Sequence, residues 1–233
     1  MNTAIIVAAG SGSRFGAEQP KQFVEILGKP LIIHTLEKFQ ACPAVDEIVL
    51  VLPADAIGGF QISNFRSDIG KLKQVVAGGA TRAESVRNGL DAVAGATTVV
   101  AVHDGARPLV STEEIAATID KATEVGAACL VGAVTDTIKT IRGDEISGTL
   151  DRDKLRRALT PQAFNIEVLR RAFVLGDVSE AATDECYLVE KLGHPIAFVE
   201  GSSRNIKITR HEDLIFAKAY LSEPPALAGG INP

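Results

Sequence analysis

Short apolar runs recur along the chain, and most are followed by a glycine or proline break and then by apolar residues at helical spacing. The runs from Ala4 to Ala9, Ile48 to Leu52, Gln74 to Ala77, Thr97 to Val102 and Ala127 to Val134 read as buried strands. Continuous apolar runs of this length are what a sheet covered on both faces requires. Between them, Leu31, Ile32, Thr35, Leu36 and Phe39 follow Pro30 at helical spacing, and proline suits a helix start. Thr81-x-x-Glu84 and Ser111-x-x-Glu114 are capping boxes. The first opens a helix burying Val86, Leu90 and Val93; the second turns Ile115, Ile119 and Ala122 inward. Residues 54–72, broken by Gly58-Gly59, show no regular pattern.

The second half continues less evenly. Leu155 to Leu159 leads into Thr160-Pro161-Gln162, and Asn165 caps a helix carrying Ile166, Leu169 and Phe173. Thr183-Asp184-Glu185 starts another that stops at Gly193, where glycine suits the end of a helix. Ile196 to Val199 and Asn205 to Ile208 read as strands, and Thr209-x-x-Glu212 caps a last helix reaching Leu221. The alternation predicts an α/β fold of Rossmann-like form: a mainly parallel twisted sheet with helices on both faces. Residues 1–221 form a single domain in this reading, and 222–233, with Pro224-Pro225 and Gly229-Gly230, a disordered tail. One stretch breaks the pattern. Around Gly143-Asp144, Ile138, Ile141, Ile146 and Leu150 stand thinly among polar residues. That spacing predicts a β-hairpin too polar for the core, an arm of about 136–158 that is stable only if it covers something.

Candidate chemistry begins where the first strand ends. Gly10 and Gly12 let the backbone turn sharply and present its N–H groups, and Arg14 and Lys21 follow. Two cations beside a glycine-rich turn at a strand's carboxyl end suit a polyphosphate. The loop is neither the dinucleotide fingerprint, since Gly16 comes one residue late, nor a P-loop. Arg82, Ser85 and Arg87 lie on the first turns of the Thr81 helix, where free N–H groups favour anions; solvated helix residues are the plainer reading. Asp104, at the end of the fourth strand and before Gly105, stands where open α/β sheets bind ligands. It can serve a Mg²⁺ ion shared with substrate phosphates, or pair locally with Arg107. His103 reads as structural.

Composition narrows the class. The chain has 233 residues, 46% of them hydrophobic, with no long apolar run and no leading export signal, which predicts a soluble protein and no membrane partner. Cys42, Cys129 and Cys186 are odd in number and widely spaced, forming neither a metal cluster nor a disulfide framework. That suits the cytoplasm. A formal net charge of −5 argues against nucleic-acid binding, though a few local cations suffice for a nucleotide.

The segment from Ala8 to Phe23, with its small apolar pair, glycine, arginine and lysine, resembles the signature of nucleotidyltransferases that activate sugar phosphates. The stretches AAGSGSRFG, PKQF, GGATRAESV, VHDGARP, VTDTIK, LTPQAF, ATDE and NIKITR resemble, in order, those of the 2-C-methyl-D-erythritol 4-phosphate cytidylyltransferase family of the non-mevalonate isoprenoid pathway. The resemblance implies a CTP-dependent enzyme acting on a polyol phosphate with Mg²⁺ or another divalent cation. By the same resemblance, Ala8, Ala9, Gly10 and Gly12 contact the nucleotide, and Arg14 and Lys21 its phosphates. Gly79 and Ser85 hold cytosine and ribose, Asp104 serves the metal, and Gly105 lies beside the nucleotide. Arg107, Thr137, Arg152, Thr160 and Thr183 surround the sugar phosphate, together with Asp104, while Lys207 bridges both substrates. The hairpin is then the arm of a homodimer. Ala80 and Gly105 depart from the family's frequent acidic residue and alanine. The rival readings are a ribitol 5-phosphate cytidylyltransferase and a nucleotide-binding subunit without catalysis. The second is disfavoured because Arg14, Lys21, Asp104 and Lys207 are all present.

Overall fold

The computed structural model describes residues 1–10, 15, 20–59, 68–176 and 183–223. The first strand, β1 (Asn2–Val7), is followed by a small hairpin of β2 (Glu25–Ile26) and β3 (Lys29–Pro30), then α1 (Leu31–Ala41) and β4 (Glu47–Leu52). A short helix α2 (Ala54–Gly59) occupies the start of the stretch that shows no regular pattern in the sequence, and β5 (Leu72–Ala77), α3 (Arg82–Asp91) and β6 (Val99–Asp104) come next. Then follow α4 (Thr112–Val125), β7 (Ala127–Ala133), the hairpin β8 (Lys139–Arg142) and β9 (Glu145–Thr149), and β10 (Arg156–Asn165). The chain closes with α5 (Ile166–Leu175), α6 (Glu185–Lys191), β11 (Ala197–Glu200) and α7 (His211–Ser222).

Seven strands form one sheet in the order β11-β7-β10-β6-β1-β4-β5. Strand β1 is paired in parallel with β4 and β6, β4 with β5, and β7 with β11. Only β10 runs against its neighbours. The expected mainly parallel sheet is therefore present.

Alternate residues of β1 explain the two covered faces. Ala4 and Ile6, with Ala8 just past the strand's end, pack with Ile32, Leu36 and Phe39 of α1 and with Ile115 and Ile119 of α4. Ile5, on the other face, packs with Val86 and Leu90 of α3, Leu169 and Phe173 of α5, and Val189 of α6. Both capping boxes form: Glu84 N donates to Thr81 Oγ1 and Glu114 N to Ser111 Oγ, each at 3.1 Å.

One stretch gains an element, and two expectations need correction. Arg156 to Gln162, to which the sequence pattern assigns no element, belong to a ten-residue strand, β10, wedged between β6 and β7. Its register shifts between Ala158 and Gln162, which accommodates Pro161 within a central strand. Asn205 to Ile208 joins no strand; the segment is held by Ile208 N donating to Ala106 O at 2.8 Å and Asn205 Nδ2 donating to Thr160 O at 2.9 Å. The last helix is capped by Asp213 rather than Glu212. Its carboxylate accepts from Thr209 N, Thr209 Oγ1 and Arg210 N, at 2.7, 2.9 and 2.8 Å.

The predicted hairpin is present as a separate two-stranded sheet that turns at Gly143, whose φ is +60°. Ile141 and Ile146 are 74% and 68% exposed on it. Among the described residues, no helix is long and apolar enough to cross a membrane.

Candidate active site

Strand order reverses at β1: the chain lays β4 on one side of it and later β6 on the other. Such a switch point leaves a crevice at the strands' carboxyl ends. A cavity of about 470 Å³ lies there, walled by Val7 to Gly10 after β1, Gly79 to Arg82 after β5, and Asp104 at the end of β6. Lys21, Gln22, Lys207 and Thr209 close it from later segments. Val7 and Asp104 are register partners, so the first loop and the carboxylate are held together by the sheet.

Close backbone approach shapes the β5 side. A side chain at Gly78 would run into Ala9 Cβ and Ser85 Oγ, so only glycine lets the two turns meet. Ser85 is buried; its hydroxyl donates to Thr81 O at 2.9 Å and accepts from Gly79 N at 3.1 Å. It fixes the turn that borders the cavity.

The electrostatic centre is Asp104, which is 7% exposed. Arg82 Nε reaches its Oδ1 at 3.4 Å, and Arg107 Nε and Lys207 Nζ reach Oδ2 at 3.2 and 3.0 Å. Burial works against its charge, but Arg82, Lys207 and Arg107 outweigh burial and hold the carboxyl well below the usual range. Arg82 also pairs with Glu185, Nη1 to Oε1 at 2.6 Å and Nη2 to Oε2 at 3.1 Å. Lys21 Nζ donates to Ile208 O at 3.0 Å, tying the first loop to the segment that carries Lys207.

The predicted site residues fall into separate groups. Ala8, Ala9, Gly10, Lys21, Gly79, Ser85, Asp104 and Lys207 all line the cavity. Gly12 and Arg14 lie outside the described residues. Gly105 stands behind Ala8 with its N–H on Val7 O and its carbonyl accepting from Thr35 Oγ1, at 2.8 and 2.9 Å, so its backbone is spent inside the fold. Thr160 is 4% exposed; its hydroxyl accepts from Asp104 N at 3.2 Å and meets His103 Nδ1 at 3.0 Å. Arg107 is held by Asp104 and by Asn205 O at 2.8 Å. Thr137, Arg152 and Thr183 are exposed and do not line the cavity. Arg152 Nη1 donates to Thr135 O at 2.7 Å, bracing the root of the hairpin.

Sequence reasoning passed over Arg82 as a site residue, and Gln22 and Glu185 altogether. All three sit inside the stretches GGATRAESV, PKQF and ATDE, and that placement was the available signal. Asp104 does not fit the role of resident metal ligand. It is the single carboxylate lining the cavity among the described residues, and cations take both of its oxygens. No group of three or more His, Cys, Asp or Glu gathers among those residues.

The family model described as IspD, 2-C-methyl-D-erythritol 4-phosphate cytidylyltransferase, matches residues 2–223. The chain belongs to this family. A 2-C-methyl-D-erythritol 4-phosphate cytidylyltransferase of Syntrophus aciditrophicus is 41% identical over 225 residues, covering 94% of this chain and 95% of that protein. One of Halalkalibacterium halodurans is 39% identical over 222 residues, covering 95% and 97%. Among solved structures, the 4-diphosphocytidyl-2C-methyl-D-erythritol synthase of Anaerococcus prevotii superposes with a TM-score of 0.83 at 31% identity, covering 95% of this chain and 96% of that one. A bifunctional IspD/IspF enzyme of Desulfotalea psychrophila is 40% identical, and the match covers 57% of it.

Proposed function

We propose that this chain transfers the cytidylyl group of CTP to 2-C-methyl-D-erythritol 4-phosphate, giving 4-diphosphocytidyl-2-C-methyl-D-erythritol and pyrophosphate. The observation that carries this reading is the cavity at the switch point, where Lys21, Lys207 and Arg82 converge in a chain of this family. The phosphate monoester loses its second proton near pH 6, so near neutrality it is already an anionic nucleophile and requires no general base. Its oxygen attacks the α-phosphorus of CTP, the bond to the β-phosphate breaks, and pyrophosphate leaves in the same displacement.

The remaining task is electrostatic: two polyanions must meet, and charge builds on the α-phosphate as the leaving group departs. Lys21 and Lys207 are placed for that, and the family resemblance assigns the same part to Arg14, which lies outside the described residues. The divalent ion belongs in this account to the nucleotide substrate, entering bound to its phosphates. The hairpin supports a homodimer: its isoleucines are exposed, two strands alone are marginal in water, and a symmetric partner would cover them. Thr137 and Arg152, at the arm's two roots, would then serve the partner's site.

Pyrophosphate release with CTP and either 2-C-methyl-D-erythritol 4-phosphate or ribitol 5-phosphate tests the reading. Turnover with the first acceptor is expected; turnover with ribitol 5-phosphate alone, or none with either, overturns it.

A further inference from the structure

The reaction as outlined gives no role to Glu185, whose side chain is 1% exposed behind the cavity wall. A carboxylate buried this far is costly unless paired. Burial pushes its carboxyl up, and Arg82 opposes the shift. The pairing is two-toothed, and the third donor of the same guanidinium, Nε, goes to Asp104. A relay therefore runs from Glu185 on α6 through Arg82 on α3 to Asp104 on β6, and from there to Lys207 and Arg107. Its base is firmly set. Asp184, beside Glu185, accepts from Gln162 Nε2 at 2.9 Å and from Tyr187 N at 2.9 Å, while Cys186 N donates to Gln162 Oε1 at 3.0 Å.

An arginine lining a triphosphate cavity would ordinarily turn its fork onto phosphate oxygens. Here three of its five donors are committed to carboxylates, and leaving Glu185 would strand a buried charge. We propose that Glu185 is a positioning residue for the transfer: it keeps Arg82 off the incoming triphosphate and against Asp104, from which Lys207 and Arg107 are aimed. The proposal rests on the cytidylyl-transfer reading. The plainer alternative is a buried ion pair that only ties α6 to α3, and kinetics separates the two.

Glu185→Gln keeps the shape but turns an NH₂ toward the guanidinium, so one tooth is lost and Arg82 keeps its charge. Arg82→Met removes the fork, and the double variant buries neither charge. Each is compared with the unaltered protein for pyrophosphate release with CTP, Mg²⁺ and methylerythritol phosphate, alongside thermal unfolding. Small misplacements at a reacting centre cost up to about 100-fold, so kcat in Glu185→Gln should fall about tenfold or more. Its KM for CTP should not rise, because the loosened fork adds a phosphate contact. The double variant should be no slower than Arg82→Met, since Glu185 acts only through Arg82. Folded Glu185→Gln with kcat within about twofold of the unaltered protein overturns the proposal, as does a double variant whose losses multiply. If Glu185→Gln does not fold, the double variant decides: unaltered kcat in it refutes positioning. Failure of the functional reading shows separately, as an unaltered protein inactive with both polyol phosphates, and takes the proposal with it.

Discussion

Lowering the pH from 8 to 5 should cost this protein about 2 kcal/mol of stability through His103 alone, on the usual 1.36 kcal/mol per pKa unit. His103 is fully buried, with the ring of Phe39 4.8 Å away. Its Nε2 lies 3.1 Å from Arg107 O, a group that can only accept, so Nε2 carries the hydrogen. Nδ1 then accepts from the Thr160 hydroxyl. A second proton would sit on Nδ1, remove that acceptor, and place a charge in the interior. Burial lowers the pKa from 6.5 to about 3, and the opposing pull of Asp104 and of the Arg107 carbonyl is smaller. Asp104, held below the usual carboxylate range, and Arg82, held above its ordinary value, keep their charges across this range. The sign follows: the unfolded chain takes up a proton below pH 6.5 and the folded one does not, so stability present above 6.5 is lost as pH falls toward 3. The loss is about 0.4 kcal/mol at pH 6.5 and about 2 kcal/mol at pH 5. Urea unfolding of the protein and of His103→Gln at pH 8, 6.5 and 5 isolates it, because the variant keeps every other titrating group. The variant is less stable at pH 8, and the gap between the two should narrow by about 2 kcal/mol at pH 5. A gap that stays constant to within about 0.5 kcal/mol would refute the reasoning.

Gly89→Ala should destabilise the fold by about 1–3 kcal/mol, although alanine favours helices, because its Cβ would stand 2.6 Å from Ile5 Cγ2 and 3.0 Å from Val51 Cγ2; an unchanged unfolding midpoint would count against this packing. Gln22 is 2% exposed and its Nε2 has no acceptor among the described residues, so Gln22→Met should stabilise the free protein by about 1 kcal/mol in urea unfolding. A marked loss of stability instead would mean that the amide is bonded. Arg152→Ala and Lys21→Ala proteins should each be nearly inactive, yet mixing and refolding them together should restore activity through heterodimers with one intact site of two. A mixture as inactive as its parents would show that Arg152 serves its own chain.

What the sequence made legible follows from how local each signal is. Strands β1 and β4 are uninterrupted apolar runs, and both capping boxes lie within four residues, so these elements could be read directly. Strand β10 could not. Its edges are polar, Pro161 interrupts it, and its antiparallel partners are 60 to 66 residues earlier in β6 and 23 to 37 residues earlier in β7. Only tertiary pairing makes it a strand. Asn205 to Ile208 erred the other way: its alternation mimics an edge strand, but Asn205 and Ile208 are buried by contacts to Thr160 and Ala106 instead. At the site, the glycine turn and Lys21 announced themselves. Glu185 did not, because its meaning lies in an arginine 103 positions away.

The same long-range pairing explains why so many cations can wait together in one place. Arg82, Arg107 and Lys207 would repel one another around an empty cavity, and flexible side chains would splay into solvent. Asp104 prevents that by offering each a bond of 3.4 Å or less at the carboxyl end of a central strand. A fixed carboxylate thus supplies, within the protein itself, the negative charge that gathers the cations. In the proposed transfer Lys207 would already be in place when anionic substrates arrive and would need little reorganisation, which is the condition under which fixed charges lower a barrier most. The carboxylate cannot be replaced in this by a neutral acceptor of the same shape, since an amide would balance none of the three charges. Its burial, which alone would favour the neutral acid, is tolerable because those charges surround it. Carboxylate and cations are therefore one unit, each the reason the others can be held where the reaction needs them.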